Sequence, residues 1–207
     1  MNIAVIAPLG HVPGEHENVV RLLEAGLPYY HLRKPGLSVA DMQAWMQKIP
    51  AEYRRRITLH APLTTALELG VGGVHFRESD RAGFSHEDLE AIIDRAETEG
   101  LRVSASVHSP EGALSISDKM LYVFLSQAFN SPSKPDLSGS IQDWNVPPQR
   151  PCKIYALGGV TAENIAKVAE YGLDGVAVLG AVWHGKQDPL SNFTRIREAC
   201  QQIAQPS

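Results

Sequence analysis

The chain has 207 residues, 43% hydrophobic and 20% charged, with a formal net charge of -4. A chain of that length buries a substantial core, and its mildly acidic balance excludes a broad nucleic-acid or anionic-membrane surface, so any functional positive charge must be gathered in a pocket. Two cysteines, Cys152 and Cys200, have no metal-type spacing and form no disulfide framework, which fits a reducing compartment.

The opening MNIAVIAP lacks a basic run, and its apolar part is too short for a membrane span. It reads as a first buried strand, and a cytoplasmic location is expected. Further strands are predicted at 29–33 (YYHLR), 56–60, 73–76, 102–107 (RVSASV), 122–126, 153–157 (KIYAL) and 175–179. Several are continuously apolar rather than alternating, as parallel strands covered on both faces are.

Helices fill most of the gaps. Residues 17–27 carry apolar positions at helical spacing. The segment 38–49 opens on a Ser cap with Asp41 in its first turn, and 85–100 opens on Ser85. The segment 161–172 is predicted to start at a Thr161 cap and to stop at Gly172, and a last helix covers 190–204. Strand three is followed by only a short helix. Residues 130–151 are a Pro/Ser-rich stretch too long for an ordinary connection, so the crossover after strand six is short or irregular and the stretch is a candidate functional loop. Eight strands alternating with about seven helices predict one domain, residues 1–207, folded as a small (β/α)₈ TIM barrel. An open doubly wound sheet is the alternative.

In such a barrel the working groups lie at the C-terminal strand ends. Strand order alone selects Arg33 and Lys34, His60, then Arg77, Glu78 and Asp80. It next selects Ser106 and His108, Ser126 with Lys134 further along, and finally Gly158, Gly159 and Gly180. Glycines in the last two βα turns expose bare backbone amides to an anion, so Gly158, Gly159 and Gly180 are candidate phosphate-binding residues; otherwise they only permit tight turns. Arg33 before Pro35 can grip a second anion bidentately, or it is a solvated surface arginine. Lys134 by itself is uninformative. His108 and His60 suit proton transfer near neutral pH, against the default of a structural histidine, and His75 is assigned to the core. Glu78 and Asp80 could hold magnesium beside phosphates, although two loop carboxylates are more often solvated.

The stretches YYHLRKP, LELGVGGVHFRESD, SASVHS, YVFLSQAFNSPSK and YALGGVTAENIAKVAEYGLDGVAVLGAVW resemble the thiamin-phosphate synthase and TenI family, over nearly the whole chain. The resemblance implies a barrel that handles hydroxyethylthiazole phosphate. The family's synthases join it to a pyrimidine diphosphate with magnesium, whereas its TenI members aromatise a thiazole tautomer by moving a proton without metal. It also implies substrate contacts at Arg33, Ser106 and Lys134, with Ser131 and Ser133 standing where the family has threonines, and proton transfer at His108. It implies a thiazole-phosphate site at Gly158, Gly159 and Gly180. The synthase's Asn-Asp pair after strand three is His60-Ala61 here, leaving Asp80 as the one matching magnesium ligand. Pro35 stands in place of a lysine, and Ser126-Gln127 in place of Gly-Pro. Alanine cannot ligate a metal. The expectation is therefore a TenI-like thiazole tautomerase that needs no cofactor, with His60 as a second proton carrier and a homo-oligomer possible. The alternatives are a divergent magnesium-dependent synthase, or a protein that binds thiazole or thiamin phosphates without turnover.

Overall fold

A computed structural model describes residues 1–130, 138–184 and 187–203. Eight strands, β1 (Asn2–Ile6), β2 (Tyr29–Leu32), β3 (Ile57–Leu59), β4 (Gly73–Phe76), β5 (Arg102–Val107), β6 (Tyr122–Ser126), β7 (Lys153–Leu157) and β8 (Gly175–Val178), close in chain order. Every neighbouring pair is parallel, and β8 pairs back onto β1 with Val176 beside Ile3. Each expected strand is present to within a residue or so at its ends.

Helices α1 (Glu15–Glu24), α2 (Val39–Gln47), α6 (His86–Thr98) and α10 (Pro189–Ile203) form part of the outer layer. Their starts follow from local chemistry. Ser38 accepts from the Asp41 amide while the Asp41 carboxylate accepts from the Ser38 amide, and the Ser85 hydroxyl caps Asp88 at 3.1 Å. The expected Thr161 start moves four residues on, to α8 (Ile165–Glu170). The cause is Asn164, whose Oδ1 accepts from the Thr161 amide at 2.9 Å and whose Nδ2 donates to the Gly159 carbonyl at 2.9 Å, holding 159–164 as a turn. Four short helices carry too few residues to show a period in the sequence: α3 (Ala51–Arg54), α5 (Glu78–Arg81), α7 (Pro110–Leu114) and α9 (Gly180–Trp183). The brief helix after β3 is α4 (Leu63–Glu68).

After β6 the crossover is irregular, as expected. Its described part contains one 3₁₀ turn at Ile141–Asp143, anchored by buried Ile141 and Trp144. Ser131, Ser133 and Lys134 lie outside the described residues.

Two apolar layers hold the barrel. Between sheet and helices lie Val5, Leu32, Leu59, Val74, Val123 and Val176, each at most 1% exposed. Inside the ring Ala4, Ile6, Tyr122, Phe124, Tyr155 and Ala177 form a separate cluster. Tyr122 and Tyr155 stack at 4.5 Å between ring centres with a 9° interplanar angle. The lower interior is thus packed rather than open, and the polar residues lie toward the C-terminal strand ends.

Candidate functional site

Successive residues on a strand face opposite sides, so on β2 to β6 the interior positions are spaced by two. His31 and Arg33 share one line; Thr58 and His60 the next; His75 and Arg77 the third; Ser104, Ser106 and His108 the fourth. The register sets His31 beside Thr58 and His75 beside Ser104. The sequence-derived candidates on strands two to five therefore stand above a second, deeper tier of polar residues.

That deeper tier contains two histidines. His31 Nδ1 lies 3.0 Å from His60 Nε2, and His31 Nε2 lies 2.7 Å from the Tyr122 hydroxyl. His75 lies 2.9 Å from Ser104 Oγ through Nδ1 and 2.7 Å from Ser106 Oγ through Nε2. The His60 and His75 rings stack at 4.1 Å. His60 Nδ1 is buried with no partner among the described residues. An orphaned N–H costs more than a bare lone pair, so the satisfied arrangement has His60 Nε2–H donating to His31 and His31 Nε2–H donating to Tyr122.

Burial holds all three rings neutral. It lowers His31 and His75 well below the ordinary histidine value, helped by the neighbouring histidines. It brings His60 to about 3, with Arg33 and Arg77 adding to the shift and Asp80 opposing it. A base that weak takes up little proton at neutral pH, which weighs against His60 as a proton carrier. His75 is a core residue, as assigned, but its surroundings are polar.

At the rim the geometry is different. His108 is well exposed; its Nδ1 meets the Ser126 hydroxyl at 3.0 Å, and its Nε2 lies 3.6 Å from Glu78 Oε2. Ser106 faces His75 rather than the rim. Asp80 is committed to Arg77: the guanidinium donates Nη2–H to Oδ1 at 2.6 Å and Nε–H to Oδ2 at 3.0 Å, and the Arg77 amide donates to Oδ2 at 3.0 Å. Those hydrogen bonds hold the Asp80 carboxyl below the usual range. Magnesium needs several free oxygen donors. With Asp80 engaged and Ala61 following His60, the described rim residues do not assemble such a set.

Arg33 stands beside this pair. Its Nε is buried without a partner among the described residues, and its pKa is lowered by burial and by Arg77. An arginine with an unspent donor next to a second arginine is an anion-seeking arrangement. Lys34 is already spent on the fold: its ammonium meets Glu15 Oε2 at 2.6 Å and the Pro8 carbonyl at 2.7 Å. Glu15 also accepts from the Tyr30 hydroxyl at 3.3 Å.

The glycines after β7 have an internal explanation. Both carry positive φ, +100° at Gly158 and +63° at Gly159. A Cβ on Gly158 would fall 2.5 Å from Gln127 Oε1, and one on Gly159 would fall 2.7 Å from the Phe129 carbonyl oxygen and nearer still to that of Asn130. The body that approaches these two glycines is the chain's own 127–130 segment. An anion arriving at Gly158 meets the Gln127 carboxamide, whose Nε2 now donates to the Phe129 carbonyl at 3.0 Å. Gly180 opens α9 at the end of β8.

A family profile described as thiamine monophosphate synthase matches residues 10–182. The chain belongs to that family. It is 30% identical over 164 residues to the thiamine-phosphate synthase of Helicobacter pylori (strain Shi470), covering 75% of this chain and 69% of that one. It is 24% identical over 201 residues to the thiamine-phosphate synthase of Pyrococcus abyssi (strain GE5 / Orsay), covering 91% and 90%. Among solved structures it resembles the thiamine phosphate pyrophosphorylase of Pyrococcus furiosus, with TM-score 0.74 and 22% identity over 99% of this chain and 97% of the other. A 3-hexulose-6-phosphate synthase shares the barrel at TM-score 0.68 and 15% identity, which speaks for the fold alone. Among the described residues no helix is long and apolar enough to cross a membrane.

Sequence reasoning missed His31, Ser104, Tyr122 and Gln127 as parts of the site. His31 was within reach: it stands two residues before Arg33, so any strand that aims Arg33 inward also aims His31 inward. Gln127 had no comparable signal, since its contact with Gly158 comes from a neighbouring strand.

Proposed function

We propose that this protein is a TenI-like thiazole tautomerase acting on a phosphorylated thiazole. The observation that carries the reading is the state of the rim: a solvent-reaching His108 flanked by Ser126 and Glu78, beside an Asp80 whose oxygens are consumed by Arg77. Forming thiamin phosphate expels a diphosphate, and that needs a cation held by free carboxylates. Tautomerisation needs only a positioned group that removes a proton from one carbon and returns one to another, with atoms and charge conserved.

His108 is the proton-transferring group. Ser126 fixes the ring through Nδ1, leaving Nε2 toward substrate and Glu78. Arg33 holds an anionic group of the substrate with its unspent donor, and the phosphate rests at the ends of β7 and β8, near Gly158, Gly159 and Gly180, where the Gln127 carboxamide swings to donate to it. The resemblance alone assigns Lys134, Ser131 and Ser133 to substrate contact. His60 serves as a neutral wall beneath. Cytoplasmic location fits a biosynthetic role of this kind.

The test is a direct competition between the two activities. The protein is incubated with thiazole phosphate, pyrimidine diphosphate and magnesium, and separately with the non-aromatic thiazole tautomer without magnesium. Acceleration of aromatisation with negligible thiamin phosphate is the expected result. Magnesium-dependent thiamin phosphate formation reverses the assignment, and tight binding with neither activity makes this a binding protein.

A further inference from the structure

One ring nitrogen from each of His31, His60 and His75 lies within 4.8 Å of the others. The three histidines come from adjacent strands, so the barrel's own register brings them together. We propose that they form a mononuclear site for a divalent transition metal of the zinc class, set beneath the rim and absent from the family reading, which assigns only magnesium on carboxylates.

Three arguments support this. A tetrahedral zinc centre with metal–nitrogen bonds of about 2.0–2.1 Å separates its ligand nitrogens by about 3.4 Å. The His31–His60 pair stands at 3.0 Å already, and with all three nitrogens within 4.8 Å of one another the third needs a contraction of up to about 1.4 Å, supplied by side-chain rotation. Moving the His60 proton from Nε2 to Nδ1 turns the nitrogens of that pair toward one cation.

Next, the outer contacts are those that orient ligating histidines. The Tyr122 hydroxyl holds the far nitrogen of His31, and a serine hydroxyl, from Ser104 or Ser106, holds the far nitrogen of His75. Third, ligation requires neutral imidazoles, and burial keeps all three in that form. His60 is the least enclosed of the three and opens toward the rim, leaving a fourth position for water or a substrate atom. Nearby Arg33, Arg77, Arg81 and Arg102 oppose a cation and Asp80 favours one. Only directional bonds to nitrogen overcome that balance. The site therefore selects zinc, cobalt, nickel or copper over magnesium, which prefers oxygen.

The experiment uses the full chain stripped with a chelator and titrated with zinc against a chromophoric competitor, alongside His60→Gln, His75→Gln and Tyr122→Phe. Circular dichroism with the metal withheld checks folding. One zinc per chain is expected. Each histidine variant should weaken it by more than the roughly 10–100-fold that loss of an outer-shell partner costs, and Tyr122→Phe by about that range. Because a histidine variant can unfold the barrel, cobalt(II) is also added to the wild-type chain, where intense four-coordinate visible absorption is expected. Failure to bind zinc stoichiometrically, unchanged affinity in both histidine variants, or a pale six-coordinate cobalt spectrum overturns the proposal. None of these readouts involves turnover, so the site stands or falls separately from the tautomerase reading.

Discussion

Lowering the pH from about 7.5 to about 5.5 should destabilise the metal-free protein far more than carboxylate titration can explain. His31, His60 and His75 titrate near 6.5 when unfolded, but burial lowers all three in the fold, His60 to about 3. The unfolded chain therefore binds more protons. The stability contributed by keeping these rings neutral is complete above 6.5 and drains away as pH falls through the window from 6.5 toward 3. At about pH 5.5 each such ring costs on the order of 1 kcal/mol, and the three together a few kcal/mol. That is a large share of the roughly 5–15 kcal/mol that holds a domain together. Aspartate and glutamate, with unfolded values of about 4, contribute little in this interval. The assay is urea denaturation followed by tryptophan fluorescence, since Trp45, Trp144 and Trp183 are all buried. The midpoint should fall sharply between the two pH values, and His60→Gln should remove about a third of the shift. An unchanged midpoint would mean that the rings are charged inside the barrel, and the neutral-network argument would be lost.

Lys34→Met leaves the Glu15 carboxylate buried without its cation and should cost about 3–5 kcal/mol, while Lys34→Met with Glu15→Leu recovers much of it by chemical denaturation. Gly159→Ala forces a side chain into positive φ, which alone costs about 1–2 kcal/mol, and drives its Cβ against the Phe129 and Asn130 carbonyls; a lowered melting temperature is expected, and an unchanged one would remove the close-approach explanation. Burial lifts both thiols, Cys152 and Cys200, to about 11, so a thiol reagent at about pH 8 should label the native protein slowly and both residues at once after denaturation.

The barrel was legible because its strands are apolar on both faces and its longer helices announce their caps, as Ser38 and Ser85 do. The same two-sided burial hid the interior. In YYHLR nothing but the period of two separates His31, which faces the polar tier, from Leu32, which faces the helices. Tyr122 reads as one more apolar strand residue until its hydroxyl is placed against His31. The motif after β7 carries a second reason for its glycines that the pattern does not show. Gly158 and Gly159 are where a ligand-binding turn would put them, yet their missing side chains make room for Gln127 and the Phe129–Asn130 backbone, a tertiary contact no local pattern carries. His108 was visible because it ends a strand of small residues. Its partners Ser126 and Glu78 stand at the C-terminal ends of the neighbouring strands β6 and β4, where strand order alone selects them.

The most direct test of the central claim, proton transfer by His108 on a phosphorylated thiazole, is the aromatisation rate of the non-aromatic tautomer by the wild-type chain and by His108→Asn, without magnesium. Removing a general acid–base group should cost roughly 10²–10⁴-fold in kcat with the fold intact by circular dichroism. An equal rate in His108→Asn, or no acceleration by the wild type, would contradict it.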